Sequence, residues 1–273
     1  MGSYPEKRGI QRVPDNNLQI RLDPLNPGQF FACCGLFEIL SMEEPGLLSC
    51  FVVDSNRPRV ASFCVQTARG SQQLAMLLRR LRDATVAFPN KEIAAPVRPA
   101  VIAYDKSELT IDWWLDEFRD KTTSIKCWAG QVTTRRLFEE LRPLLDIEST
   151  GENLFDRSAL TSSLFGVDPR SAWNTLDLGF SPNEHNVAST IFPAVEVMAA
   201  IGLQYFRPDS SKRSAVRYSL WKDPLPASIA RLAFCTPWDG MAVDDFVFEI
   251  CKRGQSYKYF SFAKSAEKER TNQ

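Results

Sequence analysis

Basic clusters, seven cysteines, paired acids and one histidine are the residues of this sequence whose types and spacing can do chemistry. Positive charge gathers at Arg79, Arg80 and Arg82, at Arg135-Arg136, at Lys212-Arg213 with Arg217, and at Lys252-Arg253-Gly254-Gln255-Ser256-Tyr257-Lys258-Tyr259. The last segment interleaves cations with aromatic rings, the combination with which single-strand binders follow a phosphate backbone and stack a base. Composition gives equal weight to a plainer use, because basic side chains also cover helix exteriors and protect edge strands from pairing. Lys and Arg total 33, as do Asp and Glu, so no overall field advertises a polyanion. Any grip on one must be local.

Catalytic chemistry has little to work with. A histidine-based triad would have to use His185, in the loop Ser181-Pro182-Asn183-Glu184-His185-Asn186, where Ser181 and Glu184 lie too close in sequence to complete it. No Gly-x-Ser-x-Gly elbow is present. Cys33 and Cys34 are adjacent, so on a helix they diverge by about 100°. No Cys-x-x-Cys or His-x-x-x-His pair accompanies them, and neither a structural metal nor a cofactor is expected. Asp116-Glu117 and Asp244-Asp245 can bind magnesium, which leaves a metal-dependent nuclease acting through Asp244 or Asp245 as one alternative function, the other being a protein-protein scaffold with no nucleic-acid contact. Neighbouring acids are more often a solvated face. The odd cysteine count in mostly apolar surroundings points to a reducing cytoplasm. The first 17 residues are polar and no apolar run approaches the roughly 18 residues a membrane span needs, so neither a leader nor a membrane partner is expected.

The elements that must position these residues are mixed. Leu18–Leu22 alternates as a strand, and an apolar run through Leu40 is long enough for a helix. Ser49–Val53 and Val60–Val65 read as a hairpin and Ser71–Leu81 as a helix capped by Ser71. Residues 83–106 have a loop's composition, and Leu109–Leu115 alternates as a strand. Gln131–Leu145 predicts a partly basic helix opened at Thr133-Thr134, residues 156–178 predict two short helices split at Gly166 and Pro169, and Pro193–Phe206 predicts a third. Val216–Leu220, Ile229–Cys235, Phe246–Cys251 and Tyr257–Phe262 are β-rich. The expected fold is therefore α+β, with antiparallel sheets in the N- and C-terminal parts and a helical central region. It is expected as one domain over 1–273, divisible at 18–122, 123–210 and 211–265, with 1–17 and 266–273 flexible.

One corner concentrates punctuation: Leu22-Asp23-Pro24-Leu25-Asn26-Pro27-Gly28-Gln29, leading into Phe30-Phe31-Ala32-Cys33-Cys34-Gly35-Leu36. A strand followed by a helix N-terminus exposes amides that favour an anion, which makes Gly28 and Gln29 candidate phosphate contacts. The corner lacks the Gly-x-Gly-x-x-Gly and Gly-x-x-x-x-Gly-Lys patterns, however. The preferred reading is structural: Asn26 caps, Pro27 takes the first helical position and Gly35 permits close packing. A fainter echo occurs at Pro193 and Gly202-Leu203, nine residues apart where Pro27 and Gly35 are eight apart, and nothing is built on it.

The run Asp23–Glu38, together with Lys126-Cys127-Trp128-Ala129-Gly130-Gln131, Asp168-Pro169-Arg170-Ser171-Ala172-Trp173, Asp177-Leu178-Gly179-Phe180-Ser181-Pro182-Asn183, Phe192-Pro193-Ala194-Val195-Glu196 and Gly202-Leu203-Gln204, resembles a CRISPR-associated family. The likeness is to subunits of type I-U effector systems, now often called I-G, including their compact large-subunit proteins. It covers about a fifth of the chain and carries no catalytic residues. What it implies is a non-catalytic part of a Cascade-type RNA-guided complex, with CRISPR RNA, target DNA and other subunits as partners and no small-molecule substrate. Expected guide or target contacts then fall at Gly28, Gln29, Arg135, Arg136, Asn183, Lys212, Arg213, Lys252, Arg253, Tyr257 and Lys258.

Overall fold

The computed structural model describes residues 17–88, 98–104, 107–116, 121–129, 132–172, 188–236, 241, 243–253 and 257–266. Its centre is a pair of helices without a polar face. α1 (Pro27–Glu43) is buried from Pro27 through Leu40, and such a helix, apolar on every side, must be enclosed by other elements. The expected cap is present: Asn26 Oδ1 accepts from Gln29 N at 3.2 Å, and Pro27 needs no amide partner at the first position. α2 (Ser71–Asp83) and α3 (Thr134–Leu141) are amphipathic and lie at the periphery. α4 (Pro193–Tyr205) is the second enclosed helix, buried from Pro193 through Leu203. α5 (Ala227–Ala233) covers α1, where Arg231 Nε donates to Glu38 Oε1 at 2.7 Å and answers the one carboxylate of the buried run.

α1 and α4 cross at two glycines, and the contact is reciprocal. A Cβ on Gly35 would lie 2.0 Å from the Met198 carbonyl oxygen, and one on Gly202 would lie 1.9 Å from that of Phe31. Each glycine thus faces the carbonyl four residues before the other, with backbones closer than any side chain allows. The echo noted in the sequence is the two halves of this one crossing.

Antiparallel sheets surround the pair. A four-stranded sheet runs in the order Asn17–Leu22, Ala61–Gln66, Leu48–Val53, Leu225–Pro226, so its last strand comes from the C-terminal part. A three-stranded sheet is ordered Val216–Trp221, Val243–Phe248, Lys264–Ser265, and Ile250–Arg253 pairs with Tyr257–Phe260 in a hairpin. Alternation aims Leu18, Ile20, Leu22, Phe51 and Phe63 inward. Phe30 of α1 stacks on Tyr218 at 4.6 Å, while Trp113, Trp114, Trp128 and Phe165 form a second group of edge-on rings. Buried apolar side chains from Leu18 to Ala263 make one continuous core. No helix among the described residues is long and apolar enough to cross a membrane.

The α+β class with antiparallel sheets stands as expected, but several elements do not. The 83–106 stretch contains strands Thr85–Ala87 and Ala100–Tyr104, which pair with each other and with Ser107–Ile111. Leu109–Leu115 is broken by a turn at Trp113-Trp114. In place of the first helix expected after 156, Ala159–Thr161 is a strand paired with Ser189–Ile191, and Pro169–Ser171 is a single 3-10 turn. Ile229–Cys235 is not a strand: it lies largely in α5, where buried Ala230 and Ala233 share a helix face. The α3 helix is shorter than 131–145 and is extended by a 3-10 turn at Arg142–Leu144. Gly70, at φ 51°, rather than Ser71 precedes α2. The ends expected to be flexible fall outside the described residues, except Asn17, which begins a strand, and Ala266.

Candidate nucleic-acid interface

The segment Phe165–Asp168 links the buried helices to the basic residues. Glu196, in the first turn of α4 and without solvent exposure, accepts from Phe165 N at 2.6 Å, Gly166 N at 3.0 Å and Asp168 N at 3.2 Å. Asn26 Nδ2, at the start of α1, donates to Asp168 Oδ1 at 2.9 Å. Gly28 lets the same segment close in, since a Cβ there would lie 2.5 Å from the Val167 carbonyl oxygen. The pinned segment in turn holds the hairpin: Phe260 N donates to the Gly166 carbonyl at 3.1 Å, and Lys258 N to that of Cys127 at 2.8 Å.

Cations converge there from three stretches of sequence. Lys252 stands directly opposite Lys258 across the hairpin, a like-charge juxtaposition that disfavours the pairing. Lys258 Nζ donates to the Ser124 carbonyl at 2.7 Å, and Lys126 Nζ donates to that of Trp128 at 2.6 Å while lying 4.6 Å from the Trp128 ring centre. The Arg213 carbonyl accepts from Ile250 N at 2.8 Å, which brings the Lys212-Arg213 turn to the same hairpin. Burial, with the Lys258 charge adding to it, pulls Lys126 down to about 8. Lys258 is lowered too, by burial first and then by Arg213 and Lys252, against an opposing influence of the Cys127 thiol. Among the described residues no carboxylate lies within ion-pair distance of Lys126, Lys252, Lys258 or Arg213. The fold thus holds mutually repelling cations together.

The residues singled out from sequence fare differently. Arg213, Lys252 and Lys258 are brought together, Lys212 lies by Asp209, and Lys212, Arg213 and Lys252 are exposed. Tyr257 and Tyr259 lie on the opposite face of the hairpin from Lys258, because successive strand residues alternate, so one strand cannot meet cation and ring together as the interleaving suggested. Arg253 pairs with Tyr257 in the same ladder. Asn183 and His185 lie outside the described residues. Gly28 and Gln29 require correction: the capped N-terminus of α1 is buried beneath Val167-Asp168, and its amides face protein. The Gln29 side chain accepts from Asp23 N at 2.6 Å and lines a cavity of about 190 Å³ with Arg21, Asp23, Arg59 and Arg170. Charge in that cavity is largely matched, with Arg59 on Asp23 and Arg170 on Asp156 and Asp168.

Arg135 and Arg136 are exposed on α3 and paired one turn on with Glu139 at 2.7 Å and Glu140 at 2.6 Å. Alanine at both is expected to change affinity for a single-stranded oligonucleotide by less than about twofold, measured by fluorescence anisotropy, because the local charge is already balanced. Asp244 and Asp245 are likewise engaged, the first with Lys222 Nζ at 2.8 Å and the second accepting from Ser219 Oγ at 2.6 Å. Among the described residues no three His, Cys, Asp or Glu side chains group together as metal ligands would. Lys126 was missed as a site residue. Its signal was a lysine inside the apolar run Ile125-Lys126-Cys127-Trp128-Ala129, where burial demands a partner. Comparison with family models, with curated proteins and with solved structures returns no match for the chain.

Proposed function

We propose that this chain is a non-catalytic subunit of a type I-U (I-G) RNA-guided surveillance complex, gripping guide RNA or target DNA by its phosphates while neighbouring subunits hold the rest of the surface. The observation that supports it is the gathering of Lys126, Lys252, Lys258 and Arg213 without a facing carboxylate among the described residues, on a chain of zero net charge. Holding cations together in the free protein costs free energy, and a bound polyanion recovers it. The sequence likeness, which spans residues 23 to 204, supplies the choice of complex.

Alanine at Lys252 and Lys258 together is expected to weaken single-strand binding by about tenfold at physiological salt and to flatten the salt dependence by ~0.7 for each phosphate no longer neutralised. Affinity of the unaltered chain is expected to fall as pH rises through about 8, where Lys126 loses its proton, and Lys126→Met is expected to remove that step. Unchanged affinity and salt slope in the double variant would overturn the grip. Co-purification with adjacent subunits and a short guide RNA tests the assembly, and recovery as free monomer without RNA at low salt would overturn it.

A further inference from the structure

Cys50 and Cys64 stand directly opposite one another on the antiparallel strands Leu48–Val53 and Ala61–Gln66, and both are free thiols. Their neighbours in the register, Phe51 and Phe63, face the core at 4.7 Å between ring centres. Alternation therefore places the two thiols on the sheet's other face. Cys50 is half-buried and reachable, whereas Cys64 is buried behind it. Directly opposed residues of an antiparallel pair have Cα atoms about 4.5–5.5 Å apart, inside the range a disulfide spans without moving the backbone. Among the described residues no strand pairs with the outer edge of Leu48–Val53 beyond Ser49, since Leu225–Pro226 pairs only with Leu48 and Ser49.

We infer that Cys50 and Cys64 form an oxidisable dithiol, a site of modification by disulfide-class oxidants in which Cys50 attacks and Cys64 resolves. Cys50 thiolate displaces one thiol from the oxidant and becomes a mixed disulfide. Cys64 then gives up its proton and attacks the Cys50 sulfur, releasing the second thiol. Two cysteine thiols are oxidised by two electrons, and the oxidant leaves as two thiols carrying both protons. Each thiol acts on the other's ionisation, which lowers Cys50 and raises Cys64 and fits attacker and resolver. Acid near the attacker opposes it through one group, Asp223.

The test treats the reduced full chain with glutathione disulfide and maps peptides by mass spectrometry. A cross-linked Cys50–Cys64 peptide pair two hydrogens lighter than the dithiol is expected, with a hairpin more resistant to thermal unfolding. Exposed Cys235 is the internal reference, expected to stop at the glutathione adduct. In Cys64→Ser the adduct is expected to persist on Cys50, and in Cys50→Ser neither adduct nor cross-link is expected at Cys64. A stable adduct on Cys50 in the unaltered chain, a Cys64 bond to Cys33 instead, or a cross-link only between molecules would overturn the assignment.

Discussion

Gly202→Ala is expected to destabilise the chain by at least about 3 kcal/mol, and Gly35→Ala by a similar amount, enough to lower the melting temperature by roughly 6–12 °C. A single methyl on either glycine would meet a backbone carbonyl oxygen at about half a normal contact distance, 1.9 Å for Gly202 and 2.0 Å for Gly35. A side chain in that position could swing aside, but a helical carbonyl already bonded within its own helix cannot. Relief therefore requires α1 and α4 to separate, which opens gaps among Phe30, Phe31 and the rings packed on them. The double variant should be less destabilised than the sum of the singles, since the first methyl has already forced the helices apart. Thermal unfolding by near-UV circular dichroism measures both quantities, and a loss below about 1 kcal/mol for either single variant would mean the crossing is looser than described.

Glu196→Ala is expected to cost about 3–5 kcal/mol, because it strands the amides of Phe165, Gly166 and Asp168 in a site closed to water. The carboxyl also confers a pH dependence whose sign is the reverse of an exposed carboxylate's. Burial, and next the neighbouring Asp168, raise Glu196 to about 7, against the three amides that favour its charge. The folded chain then holds this proton more tightly than the unfolded one. The stability that follows is fully present below the unfolded value of about 4.3 and is lost as pH climbs through about 7. Subtracting the urea-unfolding profile of Glu196→Gln from that of the parent should isolate the fall, since glutamine does not titrate. A difference that is flat from about pH 5 to pH 8 would show that the amides hold the carboxylate charged throughout. In the proposed grip, loosening this carboxylate is also expected to weaken oligonucleotide binding, as Phe165–Asp168 holds the strand that carries Lys258.

Where local chemistry decided the structure, the sequence was informative. Asn26 and Pro27 could take few other roles before an apolar helix, and Gly35 in mid-helix had no local justification, so a close neighbour was the natural expectation. The Leu48–Val53 and Ala61–Gln66 hairpin was legible from two strand-like runs close together in sequence. Short apolar runs were not. Ile229–Cys235 and residues 156–172 lack the length to separate helix from strand, and tertiary neighbours settled them. In the candidate interface, sequence showed the separate clusters but not their meeting, since Lys126, Arg213 and Lys252 each come near Lys258 only once the hairpin docks on Cys127. The α3 arginines stand out in sequence as a basic pair, whereas the fold pairs each with the glutamate one turn on.

The crossing also shapes how the chain comes into being. α1 has no polar side to offer water, and the helix that covers it begins about 150 residues later. At ordinary translation speed that interval lasts roughly 8–30 s, during which the newborn segment must be sheltered by the ribosome tunnel, a chaperone or provisional neighbours such as the Leu48–Val53 hairpin. Synthesis of the second half is therefore an assembly step for the first.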